Sequence, residues 1–177
     1  ADEIYEHINY IGKHESIAQF PGMKERAIIV NGVSKAYAMT GWRIGYIAAP
    51  EWIVKGCNKL QGQYTSGPCS VSQKAAEFAY VGDQQCVEDM RQAFERRRNL
   101  IVKLAKDIPG LEVNVPEGAF YLFPKCSSFY GKSDGETTIK NSTDFAMYLL
   151  EKGHVATVGG DAIARSEERR VGKECRS

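Results

Sequence analysis

Charge of one sign is what this sequence most lacks. Its 177 residues carry 23 basic and 22 acidic side chains, a net charge of +1. That leaves no global electrostatic footprint for a nucleic acid or an anionic membrane, and neither is expected as a partner. No apolar run approaches the ~20 residues that span a bilayer. No secretory signal opens the chain, since Ala1-Asp2-Glu3 begins acidic. No initiator Met stands first either, and a dense strand-like motif follows at once. The chain is therefore expected to be a piece of something longer. Cysteines are few and scattered (Cys57, Cys69, Cys86, Cys126, Cys175), with no C-x-x-C pair and no zinc spacing. Reduced thiols in a cytoplasmic protein are expected, ahead of a disulfide framework or a zinc site. His7, His14 and His154 are equally dispersed, and no metal site is expected.

What is present is an ordinary globular composition, 43% hydrophobic and 25% charged, too apolar for bulk disorder. The run 27–31 predicts a buried strand entering a turn at Asn31-Gly32, and 42–49 a second strand ended by Pro50. Residues 51–64 read as a helix with Trp52, Ile53, Cys57 and Leu60 along one face. Thr65-Ser-Gly-Pro68 breaks it, and Ser70 is placed to cap another helix at about 71–81. The clearest helix runs from Gln84 to Ile108, with Val87, Met90, Phe94, Ile101, Leu104 and Ile108 at helical spacing, stopped by Pro109-Gly110. Short strands are expected at 111–115 and 118–124, a helix at 144–152 and a last strand at 154–158. Three adjacent arginines, Arg96 to Arg98, should fan around the long helix rather than form one stripe.

The stretch richest in chemistry runs from Asn31 to Gly45. Lys35 sits in a loop between two apolar strands, flanked by small residues that would let a ligand approach. Eight residues on, Arg43 begins an otherwise apolar strand. A cation at the mouth of a buried strand needs an anionic partner, and a phosphate matches a guanidinium with two parallel hydrogen bonds. A lysine near fixed positive charge and partly desolvated serves as a Schiff-base nucleophile. The plainer alternative is a surface lysine and an arginine paired with an internal carboxylate.

Gly32-Val-Ser-Lys35, Ala38-Met39, Gly41 and Arg43-Ile-Gly45 together resemble the pyridoxal-phosphate attachment signature of the class I aminotransferases, fold type I. The wording Lys-Ala-Tyr-Ala-Met-Thr-Gly-Trp-Arg-Ile-Gly-Tyr is especially similar to the bacterial aspartate and prephenate aminotransferase branch. The resemblance implies that Lys35 carries the pyridoxal 5'-phosphate (PLP) and that Arg43 binds its phosphate. Asp2-Glu-Ile-Tyr5, about thirty residues before the lysine, is similar to the family's Asp-x-x-Tyr. By that likeness Asp2 pairs with the pyridine nitrogen, keeping the ring able to accept electrons, and the Tyr5 hydroxyl bonds the ring's phenolic oxygen. Gln61-Gly-Gln-Tyr-Thr-Ser66 looks like the loop that approaches a partner subunit's site. Glu117-Gly-Ala-Phe-Tyr-Leu-Phe-Pro124 is similar to the small-domain strand whose aromatic, here Phe120, faces the substrate; a core Phe explains that residue equally well.

The resemblance covers roughly residues 1–163, the second half of a family chain. It implies an α/β fold: the latter part of the PLP-binding large domain with a mainly parallel sheet (1–83), then the interdomain helix and a small α+β domain (84–163). Residues 164–177 resemble translated adaptor or vector sequence and are expected to be a non-native tail. The family's glycine-rich phosphate loop, stacking aromatic and ring-contacting Asn would lie upstream. The Arg that grips the substrate carboxylate would follow a segment that Gly160-Asp-Ala162 begins and Ile163 leaves, and Arg165 falls too early for the role. The implied activity is amino-group transfer between aspartate and 2-oxoglutarate by a homodimer, with this chain alone inactive. Two alternatives stand: aromatic or prephenate transamination or another fold-type-I PLP enzyme, and a non-catalytic half-domain that only binds.

Overall fold

Ile29-Val-Asn-Gly32 forms strand β1 and Gly45-Tyr-Ile-Ala48 forms strand β2. They pair antiparallel with Ile29 opposite Ala48 and Gly32 opposite Gly45 in the computed structural model, which describes residues 1–160, 162 and 163. The proposed tail and Asp161 lie outside the described residues. The sheet was expected to be mainly parallel, yet the one ladder of named strands among the described residues is antiparallel. The cause is the connection: a loop and a 3-10 turn (Thr40–Trp42) join the strands without a helix, whereas parallel neighbours need a helical crossover. Parallel pairing does occur at one bridge, Asp2 beside Val30, where Val30 N–H donates to Ala1 O and Glu3 N–H to Val30 O. Gly32 and Gly45 are required at their crossing, because a Cβ on Gly32 would lie 3.0 Å from Gly45 Cα.

Helices follow where their periodicity placed them: α1 over Glu51–Tyr64, α2 over Ser70–Val81, α3 over Gln85–Lys106 and α4 over Ser142–Gly153. Cys69 rather than Ser70 stands at the cap position of α2. No residue of α1 is buried, and Trp52 and Leu60 on its apolar face are exposed. On α3 Val87 is buried and Met90 and Phe94 are half-buried, as the apolar spacing predicts, but further along the buried stripe is offset by one residue. Val102 and Ala105 are buried, with Arg98 nearly so, while Ile101, Leu104 and Ile108 remain about half exposed. Arg96 and Arg97 point outward and Arg98 inward, the fan that helical geometry requires.

Two compact units divide the chain, one of Ala1–Leu100 with Pro116–Tyr121, the other of Ile101–Val115 with the described residues from Leu122. In the first, Ile8, Val33 and Ala36 form the tightest core. In the second, Val102, Ala105 and Ile139 are buried, and Phe129 stacks on Phe145 at 4.8 Å. The strands expected at 111–115 and 118–124 are reduced to single bridges. Glu112 pairs with Lys125 through two backbone bonds and an ion pair of 2.8 Å. Gly118 instead pairs with Asn9, through Ala119 N–H to Ile8 O and Tyr10 N–H to Glu117 O. No strand forms at 154–158; His154 takes φ +54 and ends α4, with Val155 N–H returning to Leu149 O.

Candidate active site

Lys35 is positioned by its neighbours in sequence. Val33 and Ala36 are 1% and 2% exposed, so the turn between them is anchored on both sides, and Ala38 N–H closes it onto Lys35 O at 3.2 Å. The half-buried lysine side chain places Nζ 5.6 Å from the Phe120 ring centroid and 5.9 Å from that of Tyr5. Both are within cation–π reach. Among the described residues no carboxylate pairs with Lys35. Ala38 (φ +52) and Arg43 (φ +51) both adopt the left-handed region on this loop, and Ala119 (φ +55) does so next to Phe120. Strained backbone of this kind gathers at binding and catalytic sites.

Tyr5 and Phe120 meet because residues 117–119 pair with residues 8–10. Their rings contact edge to face at 5.3 Å, and Phe94 stacks behind Phe120 at 5.0 Å. The Tyr5 and Tyr121 hydroxyls lie 2.6 Å apart. Burial first, then the Tyr121 hydrogen bond, holds the Tyr5 phenol above the usual tyrosine range, so it is protonated at neutral pH. Asp2 is held beside β1 by the parallel bridge; its exposed carboxylate accepts from Ile4 N–H at 3.2 Å and faces Tyr5 electrostatically. Arg43 is exposed and donates to Thr40 O at 2.9 Å. No ion pair engages it among the described residues, against the alternative of an internal carboxylate partner.

Thus Lys35, Tyr5 and Phe120 converge, with Asp2 close to Tyr5. Arg43 stands at the far end of the lysine loop, its guanidinium turned back on Thr40. The segment Gln61–Ser66 closes α1 in an exposed turn, the Gln61 amide bonded to the Thr65 hydroxyl. Among the described residues no hydrogen bond or ion pair joins that turn to Lys35. Cavities of about 460 and 270 Å³ flank the site, one beside Asp2, Tyr5, His14 and Glu117, the other beside Val33, Gly45, Tyr46 and Tyr80.

Three supporting residues escaped the sequence reading. Buried Asn31 accepts from Gly32 N–H at 2.7 Å and donates to Glu6 at 2.8 Å, tying the lysine loop to the Tyr5 segment. Arg98 donates to Pro116 O at 2.6 Å and lies 4.6 Å over the Tyr10 ring, holding the turn that carries Phe120. Tyr121 stands beside Phe120 in the segment 117–124, and only Phe120 was singled out there. The αL residue Ala119 and the absence of a ladder at 120–121 let both aromatics face Tyr5.

The site thus sets a lysine amine on an anchored turn with aromatic rings beside it, and on the same loop a guanidinium bonded to Thr40 O. Over residues 1–172 the sequence matches the family described as "Aminotransferase class I and II". It is 50% identical over 169 residues to a "Bifunctional aspartate aminotransferase and glutamate/aspartate-prephenate aminotransferase" of Petunia hybrida, covering 92% of this chain and 35% of that protein. It is 48% identical to an aspartate aminotransferase of Rhizobium meliloti, covering 93% of this chain and 41% of that one. The crystal structure of the Rhizobium meliloti aspartate aminotransferase superposes with TM-score 0.86 over 90% of this chain and 41% of the other. An aromatic aminotransferase structure from Pyrococcus horikoshii superposes with TM-score 0.81 at 41% identity, covering 91% of this chain and 41% of that chain. The chain belongs to the class I and II aminotransferase family, with the α/β fold of its structural neighbours. It spans 35% and 41% of the lengths of the first two relatives.

Proposed function

We propose that this chain is the lysine-bearing part of a PLP-dependent aminotransferase. One observation carries the reading: in a chain of this family, the signature lysine is half-buried between Tyr5 and Phe120, with no carboxylate among the described residues neutralising it. The remaining residues fit the cofactor chemically. Lys35 Nζ is the group that would hold it covalently. Arg43, without an ion pair among the described residues, offers its guanidinium to the phosphate, Asp2 a carboxylate to the ring nitrogen, and Tyr5 a hydroxyl to the ring oxygen. The bound cofactor supplies an electron sink for the substrate's Cα electrons. With its amine free, Lys35 Nζ would take the substrate α-proton as general base and hand it on to the cofactor's side as general acid, while Phe120 would cover the substrate side.

The proposed reaction is transfer of an amino group from aspartate to 2-oxoglutarate, supported by relatives in petunia, Rhizobium and Pinus pinaster that bear the name aspartate aminotransferase. The aromatic cluster of Tyr5, Phe120 and Tyr121 and the Pyrococcus neighbour favour aromatic or prephenate transamination as the second reading. A homodimer in the cytoplasm completes the proposal. The free Cys57, Cys69, Cys86 and Cys126 suit that compartment, and no helix among the described residues is long and apolar enough to cross a membrane. The test is borohydride reduction of the complete polypeptide after PLP uptake, with the modified peptide located by mass spectrometry. Label on Lys35 that disappears in Lys35→Ala is expected. Label on another lysine, or undiminished label in the variant, would refute the assignment. Rates with aspartate, phenylalanine and prephenate as alternative substrates then separate the two readings.

A further inference from the structure

Tyr5 and Tyr121 form a pair whose chemistry the proposed function leaves unused. Their oxygens are 2.6 Å apart, so one hydroxyl proton lies between them and the pair has a single proton left to offer outward. A phenol proton prefers the plane of its ring and has two positions there. Tyr121 fills the acceptor or donor place on one side of the Tyr5 oxygen, which leaves the other side for a ligand. When Tyr5 donates to a ligand oxygen, Tyr121 must donate to Tyr5; when the ligand is absent, Tyr5 can donate to Tyr121. The two rings meet edge to face at 5.7 Å, and Phe120 touches both, at 5.3 Å from Tyr5 and 5.1 Å from Tyr121. The arrangement thus orients both the ring of Tyr5 and its hydroxyl beside Lys35.

We propose that Tyr121 is a positioning residue of this active site, its hydroxyl fixing the direction in which Tyr5 presents its proton to the cofactor's ring oxygen. The inference rests on the PLP reading above, but the pair itself is measurable without the cofactor. In the ligand-free pair, where Tyr5 donates to Tyr121, burial and that bond both raise the Tyr5 pKa, so loss of the bond lowers it there. Tyr121 is 61% exposed, and removal of one oxygen from it leaves the fold standing.

The complete polypeptide, labelled with ¹³Cζ-tyrosine, is titrated by NMR as wild type, Tyr121→Phe and Tyr121→Leu, with Tyr5→Phe assigning the resonance. In Tyr121→Phe the Tyr5 phenol is expected to ionise at lower pH by about one unit, a tenfold change in proton affinity. PLP affinity in the same variant should fall roughly fivefold, the worth of one hydrogen bond. Tyr121→Leu, which also removes the ring, should repeat the Tyr5 shift and add to the affinity loss. A Tyr5 titration unchanged in Tyr121→Phe overturns the proposal whatever PLP does. A shifted Tyr5 with unchanged PLP affinity overturns it too, since the hydroxyl then orients nothing the cofactor reads. A structural role alone would spare the Phe variant and harm only the Leu variant. If wild type takes up no PLP, the functional reading fails and the proposal with it. The NMR arm still records whether the hydroxyl pair exists, which keeps the two failures distinct.

Discussion

Replacing Asn31 with Ala should loosen the lysine loop by an amount that its contacts allow us to estimate. The side chain is 6% exposed and makes two bonds, accepting from Gly32 N–H at 2.7 Å and donating to the Glu6 carboxylate at 2.8 Å. The bond to a charged partner is worth about 1.5–3 kcal/mol and the neutral one about 0.5–1.5 kcal/mol. Water recovers part of this, because the Glu6 side chain is 29% exposed and has His7 at 3.3 Å. A net loss of about 2 kcal/mol results, which at a urea slope of about 1–3 kcal/mol/M lowers the midpoint by about 1 M. Tryptophan fluorescence is the apt probe, since Trp42 and Trp52 are the two tryptophans and both lie in the unit that holds Asn31. Glu6→Gln retains an acceptor for the Asn31 amide and should cost much less than Glu6→Ala. A midpoint for Asn31→Ala within about 0.2 M of wild type, or equal effects of the two Glu6 variants, would refute the reasoning.

Three further outcomes are expected. Gly32→Ala forces a Cβ to 3.0 Å from Gly45 Cα and Ile44 O and should cost about 1–3 kcal/mol, read from the same urea curves; a neutral variant would show that the strand pair can separate freely. Asn141→Ala removes the acceptor for Asp144 N–H, a bond of 2.9 Å at the start of α4, for a loss of about 1 kcal/mol; amide exchange in the first turn of α4 should quicken, and Asn141→Ser should restore protection. The Arg91 guanidinium clasps Glu88 with two bonds of 2.8 Å and, with Gln92, lowers its pKa from 4.5 to about 2. A carboxyl depressed by folding stabilises the native state above its ordinary pKa and loses that contribution as pH falls toward the folded value. The melting-temperature gap between wild type and Glu88→Gln should therefore close between about pH 4.5 and pH 2; a gap constant across that window would contradict it.

How much of this could be read without coordinates varies with the kind of information each element carries. The helices were legible because their signals are local: Pro50 and Pro68 bound α1, and Pro109-Gly110 follows α3. The loop between β1 and β2 was legible because apolar runs flank it on both sides within the contiguous stretch from Ile29 to Ala48. The strands at 111–115, 118–124 and 154–158 were not, since a ladder exists only when a partner arrives, and Gly118 found its partner at Asn9 rather than at a neighbour. The same long-range choice shifted the buried stripe in the C-terminal half of α3 to Val102 and Ala105, while Val87 stayed on the expected face. A helix tells which residues share a face, while packing selects which face is covered.

Residue identity alone therefore determined the family and the order of the helices, because each is encoded by neighbours a few positions apart. Tertiary structure decided that Phe120 and Tyr121 both stand against Tyr5, that Asn31 reaches Glu6, and that Arg98 holds Pro116. Those contacts join residues 18 to 116 positions apart. Their partners are set by a bridge at Gly118 and one left-handed residue at Ala119, whose effect on direction no alternation of apolar and polar residues records.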